Sequence, residues 1–506
     1  MLLLQNGLVF DGSGNPAEPA SLWMDGDRIA APAAPPPDCE VVNCSGLAIA
    51  PGFIDLHSHL DLQVLEDRTE KVRQGVTSEV VGNCGFSPFP FDGNPARLQE
   101  FASGILGRPD GWGWSTAAQY LDTVEKCSTK MHVYPLAGHG SLRVAVSGQQ
   151  QRPLTGAELD RLSGMLDDAL SAGCAGFSTG LMYAPGSSAA TGELEHLCRI
   201  VAAKGKLYAT HMRSYAAGLL DAVREQLHLA RATGCRLQIS HLQAAGRGNW
   251  NLQQRALEEI ENARAEGIDV EFDIYPYQCG STVLTQWLPD WALAGGKGAL
   301  LDRLRAPGTR HRIAGEMDRS RAQLWSDITL SGLSSEKNAG LVGKTIAAVA
   351  EERGAGPAET ALDLLLEEEA AVNVISFNQS EENLRQLITH PLCSIISDGF
   401  YVKGKAHPRL YGTFPELLGA VTRERGWLSL PESVHKITGK PAQRLKLRDR
   451  GLLKPGYLAD VTIFDPAAVA SNSTYENPDQ VPRGIVTVIK DGRVVYGSIP
   501  RGGAAA

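Results

Sequence analysis

Eight short apolar runs, rich in β-branched residues, recur along the chain with helical stretches between them. That alternation limits the fold more than any other feature. The runs are FIDLHSHL (53–60), SEVVGNC (78–84), MHVYPLAGH (131–139), GFSTG (176–180), KLYATH (206–211), RLQISH (236–241), VEFDIYPY (270–277) and CSIISDG (393–399). Strands separated by helices build parallel sheets, because a parallel connection needs a crossover long enough to hold a helix. Eight such units predict an α/β fold, a (β/α)8 TIM-like barrel, over a doubly wound sheet. One helix is legible in detail. Thr155 and Glu158 make a capping-box signature ahead of Leu159, Leu162, Leu166 and Leu170, whose spacing puts them on one face.

The interval from Tyr275 to Asp398 is far longer than the others and must hold an insertion before the last barrel strand. We place it at 283–350, where the Trp287–Trp291 region and the charged helices after it would form a lid or satellite. Both chain ends read as short strands. LLLQNGLVF, SLWMDGDRIAA with its Asp25-Gly26 turn, and VVNCSGLAIAPG look like hairpins, joined by a Pro/Ala loop at 31–37. LADVTIFDP and GIVTVIKDGRVVYG, with Asp491-Gly492 at the turn, have the same character. The expected organisation is a small β-sandwich domain from 1–50 and 445–506, a barrel from 51–282 and 351–444, and the insertion. The RGGAAA tail is expected to be mobile.

At 506 residues, 43% hydrophobic and 21% charged, the chain can bury a large core. A net charge of −9, with no Lys/Arg cluster, argues against nucleic-acid binding. The first residues lack the parts of a signal peptide, and no run of about 18 apolar residues predicts a membrane span. Nine scattered cysteines, an odd number, suit a reducing, cytoplasmic compartment better than a disulfide framework.

The strand ends carry the chemistry. His57 and His59 end the first run, Cys84 the second, His211 the fifth, His241 the sixth and Asp398 the eighth. In a TIM barrel the C-terminal strand ends surround one site, so residues distant in sequence converge. Imidazole and thiolate suit zinc, and a carboxylate can ligate or act as a base. Residues two apart on a strand point the same way, so His57 and His59 could serve one metal. An isolated strand-end histidine is more often structural, but the joint pattern points to a metal centre. His139 also reaches the rim, where a loop-ordering hydrogen bond is expected of it. His132, His196, His228, His311, His390 and His435 have no comparable context.

PGFIDLHSHLD (51–61) resembles the metal-binding strand of the amidohydrolase superfamily. VGNCGFSP (81–88), GFSTGLMYAPG (176–186), THMRSY (210–215), ISHLQAAG (239–246), DIYPYQCGSTVLT (273–285), SDG (397–399), HPRLYGTFPELLG (407–419) and LKPGYLADVTIFDP (453–466) together resemble the N-acyl-D-amino-acid deacylase (D-aminoacylase) branch. The resemblance implies one tightly held Zn2+ on Cys84, His211 and His241. It also implies a weaker or optional second metal near His57, His59 and Asp398, with Cys84 standing where most of the superfamily has a carboxylated lysine. Asp398 would shuttle the proton from the attacking water to the leaving amine, besides its possible ligand role. Arg409, eleven residues beyond Asp398, is the candidate for the substrate α-carboxylate, with Tyr183, Tyr275 and Ser281 as further contacts. One departure stands out: Gln243 occupies the position where D-aminoacylases usually carry a lysine.

The expected activity is hydrolysis of N-acyl-D-amino acids to a carboxylate and a free D-amino acid, with a small N-acyl amino acid or related amide as the partner. Because Gln243 keeps hydrogen-bond donors but removes the charge, a cyclic amide of the hydantoin or dihydropyrimidine type is the alternative. A catalytically silent scaffold is disfavoured by the intact ligand set. The sequence alone does not set the oligomeric state.

Overall fold

Every one of the eight apolar runs contains a strand, and the eight lie side by side in one parallel sheet. They are β1 (Phe53–Asp55), β2 (Val76–Val81), β3 (His132–Gly138), β4 (Gly176–Gly180), β5 (Leu207–His211), β6 (Arg236–Ile239), β7 (Val270–Ile274) and β8 (Cys393–Ile395). The computed structural model describes residues 1–32, 36, 39–107, 112–127, 130–320 and 324–499. The RGGAAA tail and most of the 31–37 connector lie outside the described residues. The sheet closes between its first and last strands. Ser58 bridges Gly399, the Asp398 N–H donates to the His57 carbonyl (2.8 Å), and the His59 N–H donates to the Gly399 carbonyl (3.0 Å). The architecture is a TIM-like barrel. Every residue of β2, β4 and β5 is buried, as expected of parallel strands covered on both faces.

The helix at Gly156–Ala172 shows how the outer layer is set. Thr155 Oγ1 accepts the Glu158 N–H (3.3 Å) and Glu158 Oε2 accepts the Thr155 N–H (2.8 Å), which pairs two otherwise orphan donors. Leu162, Leu166 and Leu170 are buried from the same face, and Leu159 packs at the edge of that core.

The insertion is longer than the 283–350 expected. Cys279–Val283, Ile328–Leu333 and Val372–Phe377 form a three-stranded antiparallel sheet with the last strand in the middle. That satellite has its own core, including Leu284, Leu300, Leu304, Ile313, Trp325, Val349, Leu362 and Leu365. Residues 279–282 and 351–377 therefore leave the barrel and join the satellite. The run Val372–Phe377 reads as apolar in either setting, and only its antiparallel partners assign it.

The two chain ends share one branched sheet of eight strands. Leu2–Val9 pairs antiparallel with Glu18–Asp25, which turns back into Arg28–Ala30. The segment 41–52 is not the hairpin expected. Glu40–Asn43 and Ala48–Pro51 both run parallel to Leu2–Val9, because the turn after Asn43 advances the chain along the same edge instead of reversing it. Val461–Phe464 then pairs antiparallel with Ala48–Pro51 and joins the C-terminal strands to the sheet. Asp491 and Gly492 both have positive φ (49° and 73°), the requirement of a tight two-residue hairpin turn. No helix among the described residues is long and apolar enough to cross a membrane.

Candidate metal centre

Most of the chemically active residues sit just past the strands, not on them. β1 ends at Asp55, ahead of His57 and His59. Cys84 lies three residues beyond β2, His241 two beyond β6, and Asp398 three beyond β8; His211 alone ends its strand. Cys84, His241 and Asp398 all have positive φ (52°, 36° and 49°). A left-handed backbone is unfavourable for these side chains, and such strain concentrates where a side chain must leave the strand direction to reach a site.

The six side chains are buried and converge. Cys84 Sγ lies 3.4 Å from His57 Nε2 and 3.5 Å from His241 Nε2. Asp398 Oδ1 lies 3.4 Å from His57 Nε2 and 3.1 Å from His59 Nε2. The donors form two compact trios, His57–Cys84–His241 and His57–His59–Asp398, each within 4.8 Å and sharing His57. The trio that holds the thiol thus joins Cys84 and His241 to His57. His211 borders it, its ring centroid 4.6 Å from that of His241.

The donor set fits a divalent metal. Both ring nitrogens of His211, and Nδ1 of His59 and of His241, are buried without a hydrogen-bond partner among the described residues. An unsatisfied buried polar group costs about 1–3 kcal/mol, so unpartnered imidazole nitrogens on three rings packed around a thiol and a carboxylate fit the donor set of an ion. Their protonation suits ligation. Burial depresses His211 to about 3, and burial with the neighbouring His211 holds His241 well below the ordinary value, so both rings are neutral. Burial pushes the Cys84 thiol up to about 11. A bound cation would reverse that, since coordination deprotonates a thiol. Burial alone would lower His57, but Cys84, Asp398 and Asp273 hold it well above the usual range.

Asp398 is strongly ionised. Burial opposes its charge, yet Arg409, His57 and His59 together hold it well below the carboxylate range. Arg409 Nη1 is 2.9 Å from Asp398 Oδ2, and Nη2 donates to the Ser281 carbonyl (3.2 Å). The guanidinium lies over the Tyr275 ring at 4.5 Å, within cation–π range. Arg409 Nε is buried without a hydrogen-bond partner among the described residues.

The remaining expected residues line the same cavity of about 240 Å³: Tyr183, Tyr275, Ser281 and Gln243, together with the metal-type residues His59, Cys84, His211, His241 and Asp398. Tyr183 packs 4.8 Å from the His211 ring and shares a hydrogen bond with Thr282 (3.2 Å). Gln243 Nε2 donates to Tyr275 Oη (3.3 Å) and to the His241 carbonyl (3.4 Å). Ser281 comes from the first satellite strand, so the satellite completes the site instead of only covering it. His139 stays out of the cluster. Its Nε2 meets Glu193 Oε1 (2.8 Å), which also pairs with Arg143 (2.6 Å).

Two positioning residues escaped the sequence reading. Asp273 Oδ1 accepts the His241 N–H (2.7 Å) and lies 3.6 Å from His57 Nδ1, so it ties two ligand loops together. His407 Nδ1 accepts the Arg409 N–H (3.0 Å), and its Nε2 meets the Cys279 carbonyl (3.0 Å). The signal for each was position: Asp273 is the penultimate residue of β7, and His407 opens the HPRLYGTFP block.

Known proteins resemble this chain along nearly its whole length. Residues 40–496 match the Amidohydrolase family. The N-acyl-D-glutamate deacylase of Alcaligenes xylosoxydans xylosoxydans is 34% identical, over 99% of this chain and 94% of its own. The crystal structure of N-acyl-D-glutamate deacylase from Bordetella bronchiseptica, complexed with zinc and a phosphonate mimic of the tetrahedral intermediate, superposes with a TM-score of 0.83 at 32% identity, covering 98% of this chain and 96% of that one. A D-aminoacylase studied for its binuclear metal centre superposes with a TM-score of 0.84 at 30% identity, covering 99% and 98%. The chain belongs to the amidohydrolase family, in the branch that contains the D-aminoacylases.

Proposed function

We propose that the protein is a zinc-dependent hydrolase that cleaves the amide bond of N-acyl-D-amino acids, releasing a carboxylate and a free D-amino acid. One observation carries the reading: a buried donor cluster of Cys84, His57, His59, His211, His241 and Asp398 stands beside a buried arginine with an unpaired N–H. A divalent ion held by Cys84, His211 and His241, with a weaker second position near His57, His59 and Asp398, would supply Lewis acidity at the amide carbonyl and acidify a water.

The chain's own residues do the rest. Asp398, kept ionised, takes the proton of the attacking water and returns it to the amine nitrogen, which otherwise leaves poorly. Arg409 offers the planar fork that binds an α-carboxylate, held in place by the Ser281 carbonyl and the Tyr275 ring. Tyr183 and Ser281 flank the substrate on the metal side and the satellite side. Gln243 contributes a neutral amide beside Tyr275. The substrate carboxylate therefore depends on one cation, Arg409. The nine free thiols support a reducing, cytoplasmic setting.

The test is a panel of N-acyl-D and N-acyl-L amino acids against zinc-loaded and chelated enzyme, with a hydantoin and a dihydropyrimidine alongside. Zinc-dependent hydrolysis of D substrates supports the reading. Ring opening without deacylation would replace it with the cyclic-amidase alternative.

A further inference from the structure

A second cavity, of about 410 Å³, adjoins the metal cavity and is larger than it. The two share Phe86, Ile105, Met182, Tyr183 and Gln286 in their walls, so they are adjacent chambers with a common partition. That partition sits on the ligand loops themselves. Phe86 is two residues beyond Cys84, and Tyr183 packs against both His211 (4.8 Å) and Phe86 (5.1 Å). The second chamber therefore begins one side-chain layer away from the ligand loop that carries Cys84.

The chamber's inner wall is apolar. Phe101 stacks on Phe86 (4.9 Å), and Val283, Leu293, Leu300 and Val372 continue it toward the satellite. Its charged residues are engaged with neighbouring groups. Lys297 Nζ is paired with Glu369 (2.9 Å), and Lys403 Nζ donates to the Ser334 carbonyl (2.6 Å). Tyr275, Ser281 and Gln243 line the metal chamber and are absent from this one; Arg409 lines neither, but it lies over the Tyr275 ring and donates to the Ser281 carbonyl, on the metal chamber's side. The amine half of the substrate, which carries the carboxylate, is thus tied to the metal chamber. The acyl half is left to enter the apolar one.

Resting on the function proposed above, we infer that the second chamber binds the acyl chain, and that the natural substrates carry medium-length or long apolar acyl groups instead of acetyl. Each buried methylene contributes about 0.8 kcal/mol of transfer free energy, roughly fourfold in kcat/KM, until the chamber is filled. A volume of about 410 Å³ is within the range of small-molecule sites.

The experiment is a chain-length series on one D-amino acid, from N-acetyl through N-butanoyl and N-octanoyl to N-dodecanoyl, with the zinc-loaded enzyme. Expected is a rise of about fourfold per methylene at first, then a plateau. Two variants that add bulk to the chamber's lining, Ser103→Phe and Ala371→Phe, should abolish the rise while leaving N-acetyl kinetics unchanged. A flat or falling series in the wild-type enzyme, with the N-acetyl compound turned over, overturns the acyl-chamber assignment and leaves the deacylase reading standing. Failure to hydrolyse every member, N-acetyl included, overturns both. A rise that survives in both variants overturns the assignment of this chamber.

Discussion

Arg409 Nη1 lies 2.9 Å from Asp398 Oδ2, so the group proposed to move the proton and the group proposed to bind the substrate carboxylate form one buried ion pair. The two roles are coupled. On the proposed function, a substrate carboxylate arriving at Arg409 would compete with Asp398 for the same guanidinium and would free the aspartate to accept a proton.

Asp398→Asn should retain the metal, because Cys84, His211 and His241 remain, and should lose about 10²- to 10⁴-fold in kcat, the usual contribution of general acid–base catalysis. Metal content by atomic absorption and kcat on an N-acyl-D-amino acid check it together. Substantial residual turnover would remove Asp398 from the proton-transfer role.

Arg409→Met should weaken recognition of the carboxylate by about 1.5–3 kcal/mol, the range for hydrogen bonds to charged groups, or roughly ten- to 150-fold in kcat/KM. The same variant should discriminate far less against the uncharged carboxamide of the same substrate. An equal loss on both compounds would mean that Arg409 serves Asp398 alone.

Gln243→Lys would restore a cation beside Tyr275, whose hydroxyl now accepts from Gln243 (3.3 Å). We expect kcat/KM to rise for N-acetyl-D-amino acids and to stay level for carboxamides. No change with either would show that position 243 does not read the carboxylate.

Lys71 is buried beneath the site, bonded to Asp55 and to the Ser397 hydroxyl and 3.7 Å from Glu79. Asp55 in turn accepts the Ser397 N–H (3.0 Å), one residue before Asp398. Lys71→Met leaves two buried carboxyl groups without their cation and should destabilise the fold by about 3–5 kcal/mol. Thermal unfolding of the metal-loaded protein measures it; an unchanged Tm would show the network to be dispensable.

The His139–Glu193–Arg143 cluster predicts acid sensitivity. Burial opposes charge on Glu193, but His139 and Arg143 hold its carboxyl below the ordinary value. That stabilisation is full above the unfolded carboxylate pKa, near 4.3, and is lost as pH falls through the lower folded value. Burial also lowers His139, so below about pH 6.5 the unfolded chain takes up a proton that the native state resists, which erodes stability in the same direction. Glu193→Gln should lower Tm most at pH 7 and progressively less toward pH 3. A Tm difference that is constant with pH would contradict it.

The eight barrel strands and all six metal-type residues were legible in the chain. Parallel strands buried on both faces read as continuous apolar runs, and each chemical residue lies within a few positions of such a run. Two other pairings were not legible. Glu40–Asn43 and Ala48–Pro51 read as a hairpin and lie parallel to Leu2–Val9, and Val372–Phe377 falls in the stretch 351–444 expected to belong to the barrel but pairs in the satellite. An apolar run announces that it will be buried, but not against which partner.

The same division holds at the site. Local sequence determined which donors exist and that they gather at the strand ends, because side-chain chemistry and strand propensity are properties of a few neighbouring residues. Only the tertiary structure decided how they are aimed. The left-handed turns at Cys84, His241 and Asp398, the Asp273 tie between His57 and His241, and the satellite carbonyl that holds Arg409 all join segments far apart in the chain. Such contacts form only when the barrel closes and the satellite docks on it, and no local pattern carries their geometry.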